Sequence, residues 1–291
     1  METTSASLGP GRAALGARSA DQHVVVDGVR LAYDDEGSGP VLLCLHAVGH
    51  GARDFERLRA RFRDRSRVIA LDWPGHGHSG DDPQPASAVR YADLLRGFVD
   101  ALGLKDIVVL GNSIGGAAAI RFAAERPAQT RGVVLVDAGG LDRVDRLARF
   151  FTRMMASFFA AGVRGARWYP WAFRRYYALV LPGRAAREQR ERIVACGSEV
   201  APILVEAWRS FGEPEADTRA LAASLRCPVF VAWAKQDRVI QLGRNRKAIE
   251  AIPGVRLETF PGGHAPFLEC PEEFETSLER FLDEVLGPRA G

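Results

Sequence analysis

The stretch Leu110-Gly111-Asn112-Ser113-Ile114-Gly115-Gly116 decides how this chain is read. The residues before it, Lys105-Asp106-Ile107-Val108-Val109-Leu110, end in an apolar, β-branched run with the character of a buried strand. The residues after it, Ala117 to Arg126, are strong helix formers that stop at Pro127. A serine between two glycines at a strand-to-helix turn is the nucleophile-elbow pattern, in which a strained backbone presents the serine Oγ. Gly111 and Gly115 carry no Cβ, so strand and helix can approach closely. The first turn of such a helix leaves backbone N–H groups without partners, which suits an oxygen gaining negative charge.

Working outward, the same alternation of short apolar runs and helical segments continues on both sides. Val24-Val25-Val26 and Leu31-Ala32-Tyr33 flank the turn pair Asp27-Gly28, which predicts a hairpin. Val41-Leu42-Leu43-Cys44-Leu45 is apolar throughout, as in a parallel strand buried on both faces. A helix is predicted over residues 53–63, a strand over 67–71, a loop over 72–80 and a helix over 91–102. Gly132 to Asp137 is the next strand. Strand and helix in this order predict an α/β fold with a mainly parallel sheet.

From about Leu141 to Glu215 no strand-like run occurs, and helical periodicity takes over, with Leu147, Phe150, Phe151, Met154, Met155, Phe158 and Phe159 marking a wide apolar stripe. The alternation resumes with a strand over 228–233, a helix over 244–251, a strand over 255–260 and a closing helix over 271–286. This predicts a core made of residues 21–140 and 216–291, with residues 141–215 as a helical cap over the strand ends, where open α/β sheets bind ligands. The first 20 residues are rich in Ser, Ala, Gly, Thr and Arg and predict a disordered tail.

A length of 291 residues suffices for a sizeable core, and 47% hydrophobic with 26% charged residues is ordinary for a globular chain. A net charge of +3, with no basic tract interleaved with aromatics, argues against nucleic acid as a partner. No apolar run is long enough to span a bilayer, so no membrane association is expected. Cys44, Cys196, Cys227 and Cys270 lack metal-ligand spacing and read as reduced thiols, which predicts a cytoplasmic enzyme. The oligomeric state has no signature in the sequence.

To attack a carbonyl, Ser113 needs a base to take its proton and an acid to orient that base. His264 lies in Phe260-Pro261-Gly262-Gly263-His264-Ala265-Pro266, a loop after the last strand. Asp237 lies in Gln236-Asp237-Arg238, a loop after the preceding strand. Asp137, at the end of the strand that follows the elbow helix, is the other acid in reach, and Asp237 is preferred.

With Leu45-His46-Ala47-Val48-Gly49, Asp72-Trp73-Pro74-Gly75-His76-Gly77-His78-Ser79, Gly111-Asn112-Ser113-Ile114-Gly115-Gly116, Gln236-Asp237-Arg238 and Gly263-His264-Ala265-Pro266 in this order, the chain resembles the α/β-hydrolase family from about Val24 to Leu286. The resemblance implies a mainly parallel eight-stranded sheet with an inserted cap, a Ser113–Asp237–His264 triad, and an oxyanion hole from the backbone N–H groups of Ile114 and Val48. It implies no metal and no organic cofactor. Ala47 replaces the usual glycine of the oxyanion loop, and its methyl would resist a positive φ. His46 and His76 are expected to prop loops, whereas His50 could hydrogen-bond substrate. A serine at the elbow disfavours the aspartate-dependent dehalogenase and epoxide hydrolase chemistries.

The cap region holds nearly half of the aromatic residues, most of them expected in packing and a minority lining an apolar pocket. Between Arg143 and Arg192 the only acids are Asp145, Glu188 and Glu191, whereas arginine recurs throughout. A solvated face accounts for most of these; Arg190 and Arg192 are candidates to point inward and hold a substrate carboxylate or phenolate. The expected function is a serine hydrolase that cleaves a small apolar or aromatic ester or lactone through an acyl-enzyme on Ser113. Gly139-Gly140-Leu141 and the elbow also look like those of ring-cleavage-product C–C hydrolases, although Ala265 stands where that group has tryptophan. A non-hydrolytic binding or cyclisation protein on the same fold is the third reading.

Overall fold

Eight strands form one sheet in the order β1-β2-β4-β3-β5-β6-β7-β8, in a computed structural model that describes residues 10–18 and 21–287. The strands are β1 (His23–Val26), β2 (Val29–Glu36), β3 (Val41–Leu45), β4 (Arg67–Leu71), β5 (Ile107–Asn112), β6 (Thr130–Val136), β7 (Val229–Ala234) and β8 (Arg256–Phe260). β1 and β2 join antiparallel across Asp27 and Gly28, whose φ values of 50° and 78° are those of a tight hairpin turn. β2 runs antiparallel to β4, and every later pairing is parallel. The central strands β3, β5 and β7 are buried at every residue, which is why they read as continuous apolar runs.

The helices are α1 (Pro10–Ala13), α2 (Glu56–Phe62), α3 (Ala88–Ala101), α4 (Ile114–Glu125), α5 (Arg146–Val163), α6 (Tyr169–Val180), α7 (Arg187–Ala195), α8 (Gly197–Ser210), α9 (Arg219–Ala223), α10 (Leu242–Glu250), α11 (Pro266–Glu269) and α12 (Pro271–Leu286). Helices α5 to α8 occupy the interval between β6 and β7 where the sequence predicts helices without strands. Phe159 and Met155 of α5 are buried, but Leu147, Phe150 and Met154 are exposed, so the apolar stripe is wider than the face that packs. Phe158, Phe159, Tyr169, Phe173, Tyr176 and Tyr177 touch ring to ring and hold α5 against α6.

The expectation of a disordered tail fails for residues 10–18. Leu15 is fully buried, its carbonyl accepts from the Arg53 N–H, and the Ala17 N–H donates to the Asp72 carboxylate at 2.8 Å. The N–H groups of Gly11 and Arg12 donate to Glu199 of α8 at 3.3 and 2.9 Å. Low hydrophobicity hid this docking, because one leucine and a set of backbone hydrogen bonds do the holding. Residues 1–9 and 19–20 of the expected tail lie outside the described residues.

Candidate active site

Val48, His50, Ser113, Ile114, Asp237 and His264 sit just past the C-terminal ends of strands, whereas Arg190 and Arg192 lie in α7. β3 and β5 pair in register at Leu45 and Gly111, so the loop after β3 and the elbow after β5 begin side by side. Ser113 takes φ 55° and ψ −117°, a conformation L residues rarely adopt, and its side chain makes no cap bond to α4. The two flanking glycines make this possible. A Cβ at Gly111 would lie 2.3 Å from the Gly115 carbonyl oxygen, and one at Gly115 would lie 2.4 Å from the Leu45 carbonyl oxygen. Asn112 ties the elbow to its neighbours, its amide donating to the carbonyls of Val136 and His264, both at 3.0 Å.

Asp237 and His264 lie side by side. The His264 Nδ1–H donates to Asp237 Oδ2 at 2.7 Å, and both side chains are buried. Asp237 Oδ1 accepts from the N–H groups of Val239 and Ile240 at 2.7 and 2.9 Å, so the carboxylate is held on both oxygens. Asp137 lies beside this pair: one oxygen of each carboxylate and one nitrogen of His264 fall within 4.8 Å of one another. Burial, with the charge of Asp237 added, pushes the Asp137 carboxyl well above the usual carboxylate range.

Glu269 is a site residue that the sequence reading missed. Its Oε2 accepts from the N–H groups of Gly263, His264 and Ala265 at 2.7, 3.0 and 3.3 Å, which clamps the histidine loop. Its Oε1 accepts from the Gly183 N–H at 2.9 Å and so links that loop to the segment after α6. A glutamate five residues past a Gly-Gly-His turn is the signal that could have marked it.

The oxyanion loop resolves the question raised by Ala47. Positive φ falls on Gly49, at 80°, and not on Ala47, so the methyl meets no backbone strain there. Among the described residues neither the Val48 nor the Ile114 N–H has a protein acceptor. His46 and His76 do prop this region. His46 Nε2 accepts from the Trp73 N–H at 3.0 Å, and His76 Nε2 accepts from the Gly49 N–H at 2.9 Å. Burial lowers both imidazoles, His76 to about 4 and His46 well below the usual histidine range.

Ser113, His264, Val48 and His50 line one cavity of about 620 Å³. Its far walls are Tyr176, Tyr177, Leu204, Trp208 and Phe151 from the inserted helices. His50 is buried, with Nδ1 2.5 Å from Asp54 Oδ2, and its other nitrogen has no hydrogen-bond partner among the described residues. Asp54 in turn accepts from the Gln189 amide of α7, and Arg192 holds the Gln189 oxygen through Nε at 2.8 Å.

The expectation for Arg190 and Arg192 is corrected here. Neither lines the cavity: Arg190 donates to the carbonyls of Leu181 and Gly183, and Arg192 is spent on Gln189 and Glu188. Helical position alone cannot say which arginine turns inward, since five donors on a long stem reach the nearest free carbonyl. The arginines at the cavity are Arg143, Arg238 and Arg244, and Arg244 is paired with Asp142 and Asp145.

The sequence model of the alpha/beta hydrolase family matches residues 42–276. The chain belongs to that family. An uncharacterized protein of Mycobacterium tuberculosis is 30% identical over 291 residues, covering 90% of this chain and 81% of its own length. The pimeloyl-[acyl-carrier protein] methyl ester esterase of Chromobacterium violaceum is 29% identical over 261 residues, covering 85% and 96% respectively. Among solved structures, a thermophilic esterase from Thermogutta terrifontis superposes with a TM-score of 0.76 at 25% identity, over 91% of this chain and 99% of that one. This alpha/beta hydrolase is therefore a hydrolase with esterase relatives. Among its described residues no helix is long and apolar enough to cross a membrane.

Proposed function

We propose that this alpha/beta hydrolase cleaves a carboxylic ester or lactone of a small apolar or aromatic substrate through an acyl-enzyme on Ser113. The observation that carries the reading is Ser113 on its strained elbow, lining the same cavity as a His264 whose Nδ1–H is held by Asp237. With Nδ1 carrying the proton, Nε2 keeps a lone pair that takes the Ser113 proton as Oγ attacks the substrate carbonyl. The tetrahedral oxyanion is received by the N–H groups of Val48 and Ile114. His264 then returns the proton to the departing alcohol oxygen, and water releases the acid by the same steps in reverse order of roles.

The rest of the cavity fits this substrate class. Trp208, Phe151 and Leu204 offer apolar surface, and His50 offers one fixed polar contact beside the oxyanion loop. Residues 141–215 act in this reading as a cap over a core of 21–140 and 216–291. The four cysteines are free, in keeping with a cytoplasmic setting. The esterase names of the Chromobacterium and Thermogutta relatives favour ester over carbon–carbon cleavage. The test is hydrolysis of p-nitrophenyl acetate and butyrate together with labelling by a fluorophosphonate probe. Both should be present in the wild type and lost in Ser113→Ala; turnover that survives this substitution would remove the proposal.

A further inference from the structure

Asp137 is a further buried polar side chain beside the Asp237–His264 pair, and the steps above make no use of it. It follows β6 with φ 42°, a left-handed turn that Asp and Asn tolerate better than other side chains, and its carboxyl is fully buried. Asp137, Asp237 and His264 each place one polar atom within 4.8 Å of the other two. Two carboxylates this close and out of water cannot both be ionised unless a cation sits between them. Among the described residues no lysine or arginine is ion-paired to either one, and Asp237 has His264 alone. The other titratable groups near them are Glu269, committed to backbone N–H groups, the Tyr176 phenol, and the Cys270 thiol, pushed up to about 12 by burial.

The hydrogen bonds say which carboxyl keeps a proton. Asp237 accepts three: from Val239 and Ile240 on Oδ1 and from His264 on Oδ2. That is the pattern of a carboxylate. Asp137 accepts one, from the Ala234 N–H at 2.8 Å on Oδ1, while its Oδ2 is buried with no donor among the described residues. An acceptor without a donor beside a neighbouring carboxylate is explained by a proton on that oxygen.

We propose that Asp137 is a neutral carboxylic acid whose Oδ2–H donates to the Asp237 carboxylate and thereby sets how strongly Asp237 holds His264. It is a positioning residue, acting through Asp237, and the proposal rests on the triad reading above. A donor on Asp237 spreads its negative charge, which weakens its hold on the ring, so activity should persist to lower pH than with Asp237 acting alone. Burial and the Asp237 charge both push the Asp137 carboxyl in the direction that keeps its proton.

Asparagine reproduces a protonated aspartate: its amide N–H donates to Asp237 and its oxygen accepts from Ala234. Asp137→Ala should therefore move the acid limb of the kcat/KM profile up by roughly 0.5–1 pH unit and cost about tenfold, and Asp137→Asn should restore both. If Asp137 were instead ionised, Asp137→Asn would remove a negative charge beside His264 and move the limb down by about a unit or more, which overturns the proposal. Should Asp137→Ala fail to fold, infrared difference spectra of wild type minus Asp137→Asn decide. A carboxylic-acid C=O band supports the proposal, and a carboxylate band in its place overturns it. Fluorophosphonate labelling keeps the two readings apart. If labelling holds but Asp137→Asn shifts the limb down, the neutral acid alone is wrong; if Ser113→Ala retains turnover, the triad itself is wrong.

Discussion

Ser113 is held at φ 55° and ψ −117° by its surroundings, at a cost of about 1–3 kcal/mol that the packing of Gly111 and Gly115 against neighbouring carbonyls enforces. The strained residue is the one proposed to attack, so Ser113→Ala should lower turnover of p-nitrophenyl butyrate by on the order of 10⁴-fold or more, as should His264→Ala. Glu269 makes a subtler prediction. Glu269→Ala leaves three backbone N–H groups of the histidine loop without their acceptor, so kcat should fall by roughly tenfold or more with KM little changed. An unchanged kcat would show that the loop holds itself. At this scale serine, glycines and histidine were readable because each is marked by its immediate neighbours. Asp237 was preferred over Asp137 on chain order; that the two carboxyls lie side by side against one imidazole was not readable, because they follow different strands, β7 and β6.

The elements around the site are coupled through the loop of residues 72–80. Asp72 accepts from the N–H groups of Ala52 and Ala17 at 2.8 Å and of His78 at 3.1 Å, which joins this loop, the turn that precedes α2 and the docked segment 10–18. Removing the anchor of that segment with Leu15→Ala should cost about 2–5 kcal/mol of unfolding free energy by urea titration; a loss under half a kcal/mol would mean the segment does not dock in solution. The stability of this region should also depend on pH. His76 falls from 6.5 to about 4 on burial, so its contribution is complete above 6.5 and is lost as pH drops from there towards 4, with His46 acting in the same direction. Asp72 opposes them: raised from 3.8 to about 6, it favours the folded state at the acid end and loses that contribution as pH rises through the same window. Asp137, also raised by burial, acts with Asp72, so two carboxyls and two imidazoles oppose each other in the urea midpoint. Relative to wild type, His76→Gln should raise the midpoint at pH 5 against that at pH 7, and Asp72→Asn should lower it.

Across the whole molecule, the cavity joins the two kinds of structure: sheet-end loops supply the polar groups, and helices α5, α6 and α8 supply the apolar wall. Trp208 is 5% exposed and stands in that wall, so Trp208→Leu should open room for a longer acyl chain. The ratio of kcat/KM for p-nitrophenyl octanoate over acetate should then rise by about tenfold; an unmoved ratio would place the acyl group elsewhere. The eight strands, the helical insertion and the elbow could be read directly from the chain because each rests on local periodicity or on a conformation that only glycine neighbours permit. The docking of residues 10–18, the retirement of Arg190 and Arg192 to structural hydrogen bonds, the clamp by Glu269 and the protonated partner inferred at Asp137 could not. Each of these depends on which buried acceptor, donor or charge lies across a gap from residues distant along the chain, and such proximity exists only once the backbone has folded.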